Sequence, residues 1–153
     1  LGGAQPNLAA EIEARKQEAL QMLALYSMLP GVQEPLWQTL ELSYFARHEA
    51  ADIAWHARSL WRHVDAGHPV VKARLSAAGE GLQVVVYAPD QDDLFARICG
   101  YFDTAGFNIL DARIHTTRTG YALDTFQVIT PNLDLHPRDL ISLVENQLHQ
   151  ALT

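Results

Sequence analysis

The fold is decided by residues 84–128, which read VVVYAPDQDDLFARICGYFDTAGFNILDARIHTTRTGYALDTFQV. An apolar strand at residues 84–87 runs into an acidic turn, and the amphipathic helix that follows ends at Gly106. Two alternating strands come next, joined by residues 118–120. This strand–helix–strand–strand order, with an acidic turn after the first strand, is typical of folds that sense small molecules, and no motif near it indicates catalysis.

Length and composition predict one core of moderate size. The chain has 153 residues, of which 48% are hydrophobic, enough for one domain or for a small domain with a helical appendage. Its 18 acidic and 11 basic residues leave a formal charge of −7, which repels a phosphate backbone. We therefore expect no nucleic-acid partner.

The sequence also indicates a cellular compartment. Cys99 is the single cysteine and cannot form an internal disulfide, which fits a reducing environment. No apolar run approaches the roughly 20 residues of a membrane span, and the N-terminus lacks the pattern of a signal peptide. We therefore expect a cytoplasmic protein with no membrane contact. Because the sequence opens with Leu1 and not methionine, we expect a piece of a longer protein.

Residues 1–68 are predicted to form a helical segment that ends an upstream domain or links it to the next. Apolar residues recur at helical spacing in three stretches. In the third of them Trp55 lies off the apolar stripe, so we expect it to pack on another helix or on a domain outside the chain. The three helices are predicted at residues 6–29, 34–46 and 49–66.

Residues 69–153 are predicted to form an α+β domain of ferredoxin-like type that lacks the usual last strand. Strands at 70–75 and 82–88 form a hairpin around residues 78–81, and two later strands each have one buried face. We expect the strand at 70–75 to fill the vacant position beside the strand at 84–87. The helix at 92–105 is predicted to bury Leu94, Phe95, Ile98, Cys99 and Phe102, and a final helix begins at Pro137.

The acidic turn is the candidate binding site. Unpaired N–H groups at the start of the following helix suit a carboxylate, and Asp90, Asp92 and Asp93 could hold an ammonium group. Together they provide the two polarities that a free amino acid requires. The alternative is structural: Asp90 or Asp92 caps the helix, and the other carboxylates favour its positive end.

Other titratable residues give weaker signals. His56 and His63 share a predicted helix face, but they lie about 10 Å apart along the axis, too far to hold one metal ion together. We therefore expect solvated histidines and no metal site. No catalytic motif is present. Asp124 shares the parity of inward-facing residues, so we expect its carboxylate to be hydrogen-bonded; the candidate donors are Arg113, Thr116 and Arg118.

Several motifs resemble an ACT domain, and in particular the first ACT domain of the bacterial PII-uridylyltransferase/uridylyl-removing enzyme family. The resemblance extends over residues 36–131. It is carried by YAPD at 87–90, DLFA at 93–96, NILDARI at 108–114, TTR at 116–118, GYALDTF at 120–126 and, in the helical part, YFARH at 44–48 and IAWH at 53–56.

The resemblance implies a cytoplasmic enzyme that attaches UMP to PII signalling proteins when glutamine is scarce and removes it when glutamine is plentiful. That chemistry uses Mg²⁺ and UTP, but its catalytic residues would lie outside this chain, which is expected to hold no cofactor. The implied ligand-binding residues are Asp90, Asp92, Asp93, Leu94 and Asn108, with glutamine as the effector and ACT–ACT pairing as a further contact.

Two other interpretations stay open. Many amino-acid-binding ACT domains have glycine where Asp93 stands, which lets the ligand approach the backbone. The domain is therefore also compatible with a docking or dimerisation module that binds no ligand. A stand-alone enzyme is the remaining alternative, and it would require turnover by this chain alone.

Overall fold

The chain divides into two compact units, the first ending at Val64 and the second beginning at Asp65. A computed structural model describes residues 7–77, 80–130 and 134–153. Three predicted features therefore fall partly outside the described residues: the start of the first helix at residue 6, the hairpin turn at residues 78 and 79, and the end of the family resemblance at residue 131.

The described part of the first unit is helical. Asn7 sets the start of the first helix, because its side chain accepts a hydrogen bond from the Ala10 N–H at 3.2 Å. A 3₁₀ turn, Trp61–His63, follows the last helix. The helices are α1 (Leu8–Leu25), α2 (Glu34–Trp37), α3 (Leu42–Arg47) and α4 (Ala50–Leu60).

The single helix predicted at residues 34–46 is wrong, because the chain breaks between α2 and α3. The Thr39 hydroxyl donates to the Leu36 carbonyl at 2.7 Å, and the Leu40 N–H donates to the Trp37 carbonyl at 3.1 Å. These short-range bonds replace the i−4 ladder and end the helix. Trp55 is buried, so it needs no domain outside the chain to cover it.

The second unit contains a mixed arrangement of strands and helices. Its described strands form one antiparallel sheet in the order β1-β2-β4-β3. The α+β, ferredoxin-like ACT-type architecture is thereby confirmed, and so is the position of β1 beside β2. The elements are β1 (Val70–Leu75), β2 (Leu82–Pro89), α5 (Leu94–Thr104), β3 (Asn108–Arg113), β4 (Tyr121–Ile129) and α6 (Pro137–Leu152).

One face of this sheet packs with the two helices into a core around Phe102 and Phe126. The opposite face of the two central strands is buried as well, since Val85, Tyr87 and Leu123 are fully excluded from solvent. The prediction that β4 buries one face only is therefore wrong. Both parities of a strand are buried when it lies in the interior of a sheet with both faces covered.

Three predicted core positions are exposed: Phe95 on α5, and Leu110 and Ile114, which the alternation of apolar and polar residues in and directly after β3 predicted to be buried. Phe95 is 46% exposed because the buried residues of α5, Leu94, Ile98 and Phe102, recur every four residues and Phe95 lies about 100° away from that stripe. Leu110 is 59% exposed because the pairing of β3 with β4 shifts register between Ile109 and Asp111. Such a bulge interrupts the alternation on which the prediction depended.

Candidate functional site

The turn between β2 and α5 is held at both of its ends. The Asp90 N–H donates to the Gly120 carbonyl at 2.9 Å, which fixes the turn to the loop that precedes β4. The Leu94 N–H donates to the Gln91 carbonyl at 3.1 Å, and Leu94 itself is buried in the core. The acidic residues therefore stand on a rigid scaffold with a defined geometry.

The start of α5 does not have the side-chain cap by Asp90 or Asp92 that a purely structural role of the turn predicts. Asp93, and neither Asp90 nor Asp92, occupies the N-cap position, and its side chain makes no cap hydrogen bond. The first i−4 bond runs from the Arg97 N–H to the Asp93 carbonyl at 3.0 Å. The N–H groups of the first turn thus precede the hydrogen-bond ladder and carry the positive end of the helix dipole.

The carboxylates of this turn are exposed and electrostatically uncompensated. Asp90, Asp92 and Asp93 are exposed, and none of them forms an ion pair with any residue in the described ranges. The half-exposed ring of Phe95 follows directly. The turn therefore combines negative charge, helix N–H groups and an apolar ring, which together match the ammonium, carboxylate and methylene groups of a free amino acid.

Asn108 does not lie with the other four predicted residues. It pairs with Ile129 at one end of β4, whereas Pro89, next to Asp90, pairs with Tyr121 at the other end. These β4 positions are eight residues apart, or about 26 Å at roughly 3.3 Å per residue. A ligand held by the turn of one domain is therefore out of reach of Asn108 in that same domain.

Asp124 is the buried carboxylate of this region. It lies opposite Val86 on the face that packs against the helices, and 2% of its surface is exposed. Burial raises the pKa of Asp124 to about 7; the hydrogen bond from His115 lowers this pKa, and the charge of Asp90 raises it. The sequence singled out Asp124, but its donor is the His115 backbone N–H and not one of the three side chains predicted.

Two histidines of the first unit are buried, although solvated histidines were predicted there. His48 and His56 are buried, with ring centroids 5.3 Å apart, and the Tyr44 hydroxyl is hydrogen-bonded to Nδ1 of His56. Burial, and to a lesser degree the charge of Asp52, raises the pKa of Tyr44. Within the described ranges, no group of three or more metal-ligating side chains is placed to hold an ion.

Comparisons with known proteins give strong matches to one family. Residues 7–59 match the family model described as "Uridylyltransferase GlnD fifth domain". The chain is 53% identical to the bifunctional uridylyltransferase/uridylyl-removing enzyme of Ralstonia nicotianae and 51% identical to those of Burkholderia thailandensis and Burkholderia mallei. Each alignment covers 99% of this chain and 18% of the relative, so the chain spans under a fifth of these proteins.

No solved structure matches the chain. Among the described residues, none of the helices has the length and apolar character needed to cross a membrane.

Proposed function

We propose that this chain, which belongs to the family of bifunctional uridylyltransferase/uridylyl-removing enzymes, is the part of such an enzyme that senses a free amino acid, with glutamine as the ligand. The observation that carries the proposal is the turn between β2 and α5. There, Asp90, Asp92 and Asp93 bear uncompensated charge beside the first N–H groups of a helix.

Recognition follows from the two charges of the ligand. The ammonium group lies against the carboxylates of the turn, and the α-carboxylate lies against the N–H groups of Phe95 and Ala96. Leu94 contributes through its buried side chain, which holds the backbone of the turn in place. Asp93 narrows the approach to that backbone, so its replacement by glycine should admit the ligand more readily.

Asn108 takes part from a neighbouring domain. Its distance from the turn prevents a contact within one domain, but β3, which it begins, is an edge strand of the described sheet. When two ACT domains pair along this edge, Asn108 of one domain contacts the ligand that is held by the turn of the other domain. The proposed site is then shared between two such domains.

In the full-length enzyme, the effector shifts a balance between two opposed activities on PII proteins: the attachment of UMP, with UTP and Mg²⁺, and its removal. A ligand shifts such a balance only by as much as it binds the two arrangements of the enzyme differently, typically by about 1–3 kcal/mol. The catalytic groups lie in parts of the enzyme outside this chain, and the chain's own contribution is the differential affinity.

Calorimetric titration of glutamine into the chain tests the proposal. We expect saturable heat from the wild type, weaker binding by Asp92→Asn and tighter binding by Asp93→Gly. Asp103→Asn is the matched control, because Asp103 is an exposed carboxylate near the other end of the same helix. Equal heats for Asp92→Asn and Asp103→Asn would place the ligand elsewhere, and no heat from any of these proteins would refute binding by this domain.

A docking module that binds no ligand is the second candidate, and the edges of the sheet favour it. The β1 edge is occupied at Ala73, whose N–H donates to the Glu145 carboxylate of α6 at 2.8 Å. The β3 edge instead presents exposed apolar groups, Ile109, Leu110 and Ile114. Concentration-dependent dimerisation that is abolished by Leu110→Glu, in a protein that gives no heat with glutamine, would support this function over sensing.

A further inference from the structure

The turn after α1 exposes a cluster of large apolar side chains. Leu25 is 84% exposed, Tyr26 59% and Leu29 77%, all within five residues of sequence. Scattered exposed apolar residues are ordinary on protein surfaces, but a local concentration of them marks an interaction site. We refer to Leu25, Tyr26 and Leu29, together with Arg58, which contacts Tyr26, as the α1-end patch.

This turn is rigid. The Met28 N–H donates to the Leu23 carbonyl at 3.1 Å, and the Ser27 N–H donates to the Ala24 carbonyl at 3.0 Å. Ser27 has the left-handed backbone conformation, with φ 60°. These are the two bonds and the central conformation of a Schellman motif. The exposed side chains are therefore displayed from a fixed backbone, which lowers the entropic cost of binding.

Arg58 gives the patch a charge. Its guanidinium carbon lies 3.8 Å from the centroid of the Tyr26 ring, which orients the ring. Within the described ranges Arg58 forms no ion pair, and its buried Nε has no hydrogen-bond partner. A surface that covers the patch should therefore be apolar and should bring an acidic side chain to the guanidinium.

We propose that the α1-end patch is the docking site for another domain of the same full-length polypeptide, with an apolar surface and an acidic residue that pairs with Arg58. The chain spans 18% of its relatives, so most of such a polypeptide lies outside it. The three apolar side chains can bury far less surface area than the roughly 1,000 Å² that a stable interface between separate molecules requires. A covalently linked domain needs less area, because the linkage gives it a high effective concentration.

Site-specific photo-crosslinking in the full-length protein tests this docking. With a benzophenone amino acid in place of Leu29, we expect crosslinks to a peptide of the same polypeptide outside the 153 residues, at a yield independent of protein concentration. Crosslinks to a second copy, with a yield that falls on dilution, would overturn the proposal, and so would the absence of any crosslinked peptide.

Hydroxyl-radical footprinting of Tyr26 gives a second measurement on the same full-length protein. We expect Leu25→Glu to raise the labelling of Tyr26 about tenfold or more. Loss of one buried leucine shifts the equilibrium between the docked and the undocked state by at least that factor. Leu42→Glu is the matched control, since Leu42 is a 61% exposed leucine on α3 of the same unit. Strong labelling of Tyr26 in the wild type, or equal effects of the two substitutions, would overturn the proposal.

Discussion

The carboxylate of Asp124 accepts a hydrogen bond from the backbone N–H of His115 at 3.3 Å, in the interior of the second unit. The bond links β4 to the chain that follows β3, where the Leu123 N–H also donates to the His115 carbonyl at 2.7 Å. A single hydrogen bond does not replace the hydration that the ionised carboxylate loses on burial. The protonation of Asp124 is therefore coupled to folding.

This coupling predicts that stability falls as the pH rises. Burial raises the folded-state pKa of Asp124 from 3.8 to about 7, so the folded protein holds a proton that the unfolded chain releases. The stabilisation is complete below about pH 4 and is lost as the pH rises through 7. The contribution to the free energy of unfolding that is lost is of the order of 4 kcal/mol, at about 1.4 kcal/mol per pKa unit.

Urea unfolding of the wild type and of Asp124→Asn at pH 5 and pH 8 measures this loss. We expect the wild type to lose stability between the two pH values and Asp124→Asn to lose much less, because its amide does not titrate. Asp103→Asn, a change at an exposed carboxylate, should retain the wild-type pH dependence. An identical pH dependence in all three proteins would contradict the role of Asp124.

Gly81 is predicted to tolerate no side chain. Its φ is +79°, and a Cβ at this position would lie 2.1 Å from the Val128 carbonyl oxygen, a backbone atom that cannot move aside. We expect Gly81→Ala to destabilise the protein by about 2–4 kcal/mol, from backbone strain and steric overlap together. Thermal unfolding followed by circular dichroism gives the value.

Gly120→Ala separates these two causes. Gly120 has φ +83°, but its Cβ would meet no atom within 4 Å. The substitution therefore carries the strain of the left-handed conformation without the overlap. We expect it to cost about 1 kcal/mol. Equal losses of stability in the two variants would show that the contact with Val128 is unimportant.

Ser27→Gly is predicted to stabilise the first unit. Ser27 holds the left-handed conformation at the end of α1, where a Cβ costs about 1–2 kcal/mol and glycine costs only part of that in unfolded-chain entropy. We expect a net gain of about 0.5–1 kcal/mol. Tryptophan fluorescence during urea unfolding reports this unit selectively, since Trp37, Trp55 and Trp61 all lie in it.

The matched substitution Ser43→Gly should lower the stability of the first unit, whereas Ser27→Gly should raise it. Ser43 lies inside α3, where glycine lowers helix stability by about 0.5 kcal/mol. A loss of stability in both serine variants would mean that the backbone of Ser27 is not strained.

Glu145 is predicted to protect the β1 edge. Its carboxylate accepts the Ala73 N–H at 2.8 Å, which satisfies a donor of the edge strand and prevents pairing with another chain there. We expect Glu145→Ala to cost about 1–2 kcal/mol and to accelerate amide exchange at Ala73. Glu145→Gln keeps an acceptor oxygen and should lose less than half as much. Unchanged exchange at Ala73 in Glu145→Ala would contradict this role.

Local patterns predicted much of the second unit. Gly106 and Pro137 mark the end of α5 and the start of α6, because positive φ and a missing N–H are properties of single residues. The position of β1 beside β2 followed from the short hairpin connection and from the missing last strand. These features depend on neighbouring residues or on chain direction, which are readable in the sequence.

Features that depend on contacts between distant residues were not predictable. The bulge in β3 arises from its pairing with β4, and no residue type within β3 indicates that a bulge will form. The burial of His56 depends on what packs around α4, and helical periodicity alone predicted a solvated side chain there. The break between α2 and α3 depends on the Thr39 hydroxyl, which donates a hydrogen bond to the Leu36 carbonyl instead of to water.

The candidate site shows the same division between sequence and tertiary structure. The order of the strands, the acidic turn and the presence of a helix directly after it are properties of consecutive residues, so the sequence alone placed four of the five ligand-binding candidates together. The separation of Asn108 from that turn and the unusual proton affinity of Asp124 arise only when antiparallel strands set the register and the core excludes water. Distances across a sheet and the loss of hydration are created by folding, and a linear pattern does not contain them.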